Sequence, residues 1–289
     1  MFGIPHVGAP IGGFYFNATD ELLLRWYELG AFYPLMLSYS SKYANPKGPM
    51  ALKDHLHLVR DVLHERYCLI RFMYTKIFEA HLWGGSVVHP LFFEFTNDTK
   101  LYTRDILDKT FMWASTLYII PSLIAHQTAI RAYLPNWRWY DLRSLEMIVD
   151  HSPFMTEGRY FDFDQPLGAI TVLIKGGSII PYQHFTREGK IENTKDLELI
   201  PARIIIAPDH EGKAVGSMIV DTEGIRPYPD PMSNTYRHYT FTYMNQIFRI
   251  NKLAGFDFHG RYEFDEFWEL VILDNFGNHQ VDFVCMMDM

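Results

Sequence analysis

Gly3-Ile4-Pro5-His6-Val7-Gly8-Ala9-Pro10-Ile11-Gly12-Gly13-Phe14 runs on into Glu21-Leu22-Leu23-Leu24-Arg25-Trp26-Tyr27-Glu28-Leu29-Gly30-Ala31-Phe32-Tyr33-Pro34. Read forward, a short apolar strand over residues 2–7 meets a glycine-rich loop, and an amphipathic helix over 21–31 follows, closed off by Pro34. That is one β/α unit. In a barrel of such units, the loop after the strand is where the chemistry sits. A (β/α)8 barrel needs roughly 250 residues, so a unit that opens at residue 1 is expected to be the tail of something larger.

Working outward from this unit, three zones emerge. Over 1–90 short strands alternate with helices. Leu56, Val59, Leu63, Tyr67, Ile70, Tyr74 and Ile77 recur at three- and four-residue steps and predict one long helix over 53–82. Gly84-Gly85 ends it, and 87–95 reads as the next buried strand. Over 91–185 the helical period disappears. Short apolar runs at 117–120, 131–134, 137–140 and 170–174 lie between turn residues and predict a β-sandwich. Over 186–289 strands are predicted at 202–207, 216–220, 236–250 and 269–273, separated by polar turns such as Pro208-Asp209-His210-Glu211-Gly212. The expected fold class is thus α/β plus all-β.

With 289 residues, 48% hydrophobic and 16% aromatic, the chain has ample material for several cores. A formal charge of −8 argues against nucleic acid and anionic membranes as partners. Cys68 and Cys285 lie far apart, which gives neither a metal knuckle nor a disulfide framework. No basic n-region or apolar h-region opens the chain. The apolar run 111–125 is broken by Ser115, Thr116, Pro121 and Ser122 and is too short to span a bilayer. The compartment stays open: cytoplasmic if the chain is complete, secretory or lysosomal if it is a piece.

Several groupings invite chemistry and have a simpler reading. His57, Asp61 and Glu65 share a helix face at metal-ligand spacing, but Lys53, Arg60 and Arg66 beside them suggest a solvated face. Asp162 and Asp164 alternate on a strand like a carboxylate dyad, yet fall in the predicted sandwich, where a turn or edge role is expected. His6 and His89 are expected in buried strands as core or near-pocket residues. Asn17-Ala18-Thr19 and Asn97-Asp98-Thr99 are glycosylation sequons that matter only in a secreted chain. No metal site and no cofactor site is expected.

The motifs together resemble the C-terminal part of glycoside hydrolase family 31, the α-glucosidase and α-xylosidase group. The opening is similar to that family's GIPxVGADICGF loop and ELxxRWxQLGAFYPF helix. His64-Glu65-Arg66-Tyr67 resembles its RxxxHERYxLLPYLYT helix, and Pro90-Leu91-Phe92-Phe93-Glu94-Phe95 its RPLFFEFP segment. Phe111 to Leu117 looks like FMWGxSLL, and Ala132-Tyr133-Leu134-Pro135 with Trp139-Tyr140-Asp141 looks like YLPxGxWYD. Gly176 to Gln183 is close to GGSIIPxQ, and Asp221-Thr222-Glu223-Gly224 is similar to a DDGE turn. These matches keep their order across most of the chain.

The resemblance implies the last two β/α units of a TIM barrel (1–90), then a proximal (91–185) and a distal (186–289) β-sandwich. It implies a retaining hydrolase acting on α-linked oligosaccharide or glucan, with two carboxyl groups about 5–5.5 Å apart. Neither the WxDMNE-type nucleophile motif nor the WxGDN-type acid/base motif occurs in this sequence, so no catalytic residue is assigned and the chain alone is expected to be inactive. The family's pocket wall maps onto Pro10, Phe14, Leu37 and Tyr39. Pro10 stands where the family has Asp, Leu37 where it has Arg, and Tyr39 where it has His. A Tyr hydroxyl still hydrogen-bonds and its ring still stacks, but it carries no positive charge. The alternative is a non-catalytic derivative binding a glycan or protein, with Trp137 and Trp139 as candidate stacking rings. The expected partners besides sugar are the rest of the barrel or a partner subunit. Residues 1–90 alone are expected to aggregate, swap or recruit a partner, whereas the sandwich zones carry self-sufficient patterning.

Overall fold

The computed structural model describes residues 4–150, 156–185, 193–194, 196–221, 236–254, 267–273 and 279–281. Cys285 and the turn at Thr222-Glu223-Gly224 lie outside the described residues. The first helix, α1 (Asp20–Gly30), starts where predicted. The Thr19 side chain caps it by accepting from the Leu22 N–H at 3.2 Å, and Asp20 and Glu21 sit at the positive end of the helix dipole. Leu23, Leu24 and Tyr27 fall on its buried face.

The long helix predicted over 53–82 is two helices, α2 (Leu56–Cys68) and α3 (Ile70–Trp83), after a short 3-10 turn at Lys53–His55. They break at Leu69. There the Cys68 carbonyl accepts from the Gln183 N–H at 2.8 Å, so a donor from another segment enters the helical ladder. No periodicity within the helix signals that intrusion.

A short α4 (Arg104–Leu107) follows, and the rest is mainly strand. In chain order these are β1 (Val88–His89), β2 (Phe111–Trp113), β3 (Leu117–Ile120), β4 (Ala129–Leu134) and β5 (Arg138–Asp141). Next come β6 (Met147–Asp150), β7 (Arg159–Asp164), β8 (Thr171–Lys175), β9 (Ser178–Tyr182) and β10 (Ala202–Ala207). The series closes with β11 (Ala214–Asp221), β12 (Tyr236–Met244), β13 (Ile247–Ala254), β14 (Phe267–Ile272) and β15 (His279–Val281). An antiparallel six-stranded sheet has the order β1-β2-β3-β8-β5-β6, and β4 pairs with β7 as a separate ribbon. A mixed seven-stranded sheet has the order β13-β12-β11-β9-β10-β14-β15.

Three expectations need correction. Residues 4–10 are not strand, and the strand expected over 87–95 is only β1, two residues long. Pro90 has no N–H to continue the ladder, and the chain turns into a 3-10 helix at Leu91–Phe93. β1 also joins the antiparallel sheet rather than a parallel barrel. Finally, the run 236–250 is a hairpin, divided by Asn245 (φ 54°) and Gln246 (φ 62°), the left-handed pair of a two-residue turn.

Alternation along the strands explains the layering. In β3, Leu117 and Ile119 enter one core and Tyr118 and Ile120 another. One face of the six-stranded sheet meets Leu24, Tyr27, Val59 and Phe72 from the helices; the other meets Tyr133 and Leu134 of the β4–β7 ribbon. The seven-stranded sheet divides likewise. Ile205 and Ala207 join the helical core, while Ile204 and Ile206 face Met218 and Phe241. The helical core therefore draws on all three zones. Each fully buried side chain there contributes about 1.5–3 kcal/mol, so the zones stabilise one another.

Candidate functional site

Although no strand forms near residue 7, the backbone keeps the geometry of a β/α/β crossing. The Val7 carbonyl accepts from the Leu35 N–H at 3.0 Å, and the Ile11 N–H donates to the Leu37 carbonyl at 2.9 Å. Both partners advance together, so the two segments run parallel with α1 between them. Gly8 permits this approach: a Cβ there would lie 1.8 Å from the Leu35 carbonyl oxygen. Beyond it, Gly12 (φ 77°) and Gly13 (φ 74°) turn the chain, and Gly13 N–H donates to the Pro10 carbonyl at 2.9 Å.

This crossing brings the four sequence-predicted wall residues to one mouth. The Ser41 N–H donates to the Phe14 carbonyl at 3.0 Å, which sets the 10–14 loop beside the 37–41 segment. The Phe14 and Tyr39 rings meet edge-on with centroids 5.7 Å apart. Pro10 is half-buried, while Phe14, Leu37 and Tyr39 are exposed. The four offer ring faces, an apolar edge and one hydroxyl. They can stack on and hydrogen-bond a ligand, but none is a carboxyl group able to attack a glycosidic carbon or protonate its leaving oxygen at neutral pH.

Sequence reasoning missed Lys47, which sits in a polar stretch that reads as solvated. Its side chain is buried beneath the loop and donates to the Gly13 carbonyl at 2.5 Å and the Tyr15 carbonyl at 3.3 Å. The Lys47 carbonyl accepts from the Tyr27 hydroxyl at 2.8 Å and the Ser38 hydroxyl at 2.6 Å. This residue thus holds both loops of the mouth from below.

The mouth rests on a satisfied backbone. Arg66 donates to the carbonyls of Ala31 (2.6 Å), Tyr33 (2.7 Å) and Pro34 (3.3 Å), and the Trp113 indole donates to Phe32 at 2.5 Å. Four consecutive carbonyls after α1 are therefore capped by side chains from α2 and β2. In the middle of the same helix, buried Arg25 pairs with Glu28 at 2.9 Å and donates to the carbonyls of Gln127, Gln165, Pro166 and Ala169. Burial pushes the Glu28 carboxyl above its usual range, with Arg25 pulling the other way.

The remaining candidates separate. His57 and Asp61 are exposed, while Glu65 turns to the Tyr182 hydroxyl at 3.2 Å. Asp162 and Asp164 are exposed on the edge ribbon, as the edge reading expects. His6 is exposed, contrary to expectation; His89 is buried against Glu94 at 3.3 Å. Trp139 is wholly buried in the second core, and Trp137 is half-buried with its indole donating to the Gly176 carbonyl at 2.6 Å, so neither is a free platform. Burial raises the Cys68 thiol to about 12, which leaves it inert. Among the described residues no helix is long and apolar enough to cross a membrane.

Comparison with known proteins gives the family. The family model described as the glycosyl hydrolases family 31 TIM-barrel domain matches residues 1–76, and that of the family 31 C-terminal domain matches residues 84–180. The chain belongs to glycoside hydrolase family 31. It is 32% identical over 222 residues to intestinal sucrase-isomaltase of Oryctolagus cuniculus, covering 76% of this chain and 11% of that protein. It is 31% identical over 231 residues to lysosomal alpha-glucosidase of Bos taurus, covering 76% and 24%. The chain thus spans a quarter or less of these curated relatives. Among solved structures, the glucosidase II alpha subunit with Glc1Man2 bound superposes with a TM-score of 0.75 at 22% identity, covering 92% of this chain and 28% of that one. At that identity the likeness bears on the fold.

Proposed function

We propose that this chain supplies the C-terminal part of an α-glucosidase-type retaining hydrolase, with Pro10, Phe14, Leu37 and Tyr39 as one wall of its sugar pocket. The observation that carries this reading is the convergence of the 10–14 and 37–41 loops on one mouth, with the Phe14 and Tyr39 rings exposed. The two carboxyl groups of the double displacement come, in this reading, from barrel residues outside the sequence, and the chain alone does not hydrolyse. Residues 1–90 are the barrel portion, 91–185 a proximal β-sandwich and 186–289 a distal one. The surface that meets the rest of a barrel is the mouth side of α1 and its loops. A non-catalytic, glycan-holding derivative is the second reading, favoured by the lack of any charged group at the four wall positions.

The test is twofold. The purified chain is assayed for glucose release from an aryl α-glucoside, and for retention on an immobilised α-glucan. We expect no release, and retention that the double variant F14A/Y39A weakens. Glucose release by the chain alone overturns the inactivity, and retention unchanged in the double variant overturns the pocket wall.

A further inference from the structure

A second cleft, of about 680 Å³, shares no lining residue with the mouth and lies between the C-terminal half of α3, the β1–β2 region and the seven-stranded sheet. Lys76, Glu79 and Trp83 fall at i, i+3 and i+7 on one face of α3 and form one wall. Ser217 of β11 and His238 of β12 form the floor. At the rim, Trp83 is 65% exposed, although its ring also covers the His238 ring with centroids 5.5 Å apart. Gly84 and Gly85 beside it leave open space where side chains would stand.

Both lysines of this cleft are already paired. Lys76 Nζ lies 2.9 Å from Glu79 Oε2 and donates to Ser217 Oγ at 3.2 Å, and Ser217 in turn donates to Glu79 Oε1. On the opposite wall Lys175 pairs with Glu94 at 2.7 Å. Among the described residues an anion entering here finds no free cation; the one carboxylate of the lining outside these ion pairs, Asp209, accepts from the Glu211 and Lys213 N–H groups at 2.9 Å each. What is left over is polar and uncharged. His238 is 3% exposed and its Nε2 has no hydrogen-bond partner, with the nearest carboxylate oxygen, Glu79 Oε1, 3.9 Å away. Burial holds this imidazole below its ordinary range, against the pull of Glu79, so at neutral pH it is an uncharged ring with a spare hydrogen-bonding position.

We infer that this cleft is a binding site for a neutral polyhydroxylated ligand, such as a saccharide unit, stacked on the exposed face of Trp83 with its hydroxyls on the Lys76–Glu79–Ser217–His238 network. A pyranose ring presents C–H groups to an aromatic face and hydroxyls at its edge, which matches an open indole beside a matched polar floor. The buried His238 nitrogen, without a partner among the described residues, offers such a hydroxyl a hydrogen bond. The inference stands on the cleft alone, independent of the glycosidase reading.

The test uses the full chain labelled with 5-fluorotryptophan, the Trp83 resonance being assigned from W83F, and titrated with maltotriose. We expect a saturable shift of that resonance in the millimolar range, retained in F14A/Y39A. By calorimetry we expect roughly tenfold weaker binding in W83A, whose exposed ring contributes little to the fold, and weakening also in H238Q. A Trp83 resonance unmoved by maltotriose overturns the site, and so does an equal shift with inorganic phosphate, which assigns the cleft to anions. The two proposals fail separately: α-glucan retention unchanged in F14A/Y39A overturns the mouth alone, and a Trp83 resonance unmoved by maltotriose overturns the cleft alone.

Discussion

Replacing Arg25 by Ala is expected to be among the most destabilising single changes outside the apolar cores. Arg25 and Glu28 are 8% and 2% exposed, and the guanidinium also holds four carbonyls from two loops of the strand-rich region. Glu28 Oε1 accepts from the Gly168 N–H at 2.6 Å. With Arg25 gone, Glu28 is a buried carboxylate without a countercharge, and breaking one partner of such a pair costs about 3–5 kcal/mol. For a chain of this size that is a fall of roughly 10 °C in the main thermal transition.

The sign with pH follows from the raised Glu28 value. A carboxyl raised by folding favours the folded state below its unfolded value and loses that contribution as pH rises through the folded one. The R25A penalty is therefore largest at neutral pH and shrinks on acidification, as Glu28 takes up a proton. The assay is calorimetry and urea unfolding of wild type, R25A, E28Q and R25M/E28L at pH 7 and pH 5. E28Q keeps an acceptor for Gly168 and should cost about 1–2 kcal/mol. The apolar double variant should recover much of the R25A loss, because neither charge then remains buried alone. An R25A protein within about 0.5 kcal/mol of wild type, the range of ordinary surface changes, would refute the reasoning.

Other expectations follow from the same contacts. Burial alone would raise Glu94, but hydrogen bonds from His89, Lys175 and Ser115 hold it at about 2. Its stabilisation is full above the unfolded value of about 4.5 and is lost as pH falls toward 2, so E94Q should flatten acid unfolding in that window by about 3 kcal/mol; parallel acid titrations of the two proteins would count against it. R66M strips three carbonyls after α1 of their donor and should cost about 2–4 kcal/mol in urea unfolding. In G8A the new Cβ meets the Leu35 carbonyl, so the 7–11 and 35–37 segments should part; this is read as faster amide exchange at Leu35 and Ile11, and unchanged exchange would refute it. Residues 1–90 expressed alone expose Leu24, Tyr27, Val59 and Phe72 and should aggregate, which light scattering decides; a monodisperse, cooperatively melting fragment would sink the idea.

Much of this was legible in the chain because it depends on local rules. Thr19 before Asp20-Glu21 marks the start of α1, and the strand β10 falls at 202–207 as its unbroken Ile204-Ile205-Ile206 suggests. The wall residues Pro10, Phe14, Leu37 and Tyr39 were placed together by motif, and their loops do meet. What was not legible depends on partners distant in sequence. The break at Leu69 follows from Gln183, over a hundred residues downstream, and Lys47 is buried only because Gly13 and Tyr15 fold over it. The two-residue β1 is another case: apolar composition at 87–95 promised a strand, but a strand exists only where a neighbour accepts its ladder, and Pro90 forbids that. Trp139 shows the limit from the other side, since an aromatic ring in the sequence reads alike whether it will be core or platform.

The distribution of kept and changed motif residues has a physical basis in these contacts. Arg25, Arg66 and Trp113, all at positions that match the family's motifs, are spent on backbone groups: they satisfy eight carbonyls packed around α1 and the turn after it. Truncating any of these three leaves buried carbonyls unpaired, so the fold itself resists the change. Pro10, Leu37 and Tyr39 touch no such group through their side chains and stand at an open mouth, where a substitution alters ligand chemistry at little cost to stability. Divergence at the mouth with retention of the frame is therefore what these contacts permit. The decisive comparison restores the mouth: P10D/Y39H should leave the melting temperature within a few degrees of wild type while changing α-glucan retention. If the restored mouth instead unfolds the protein, the wall positions are part of the frame, and their divergence says nothing about function.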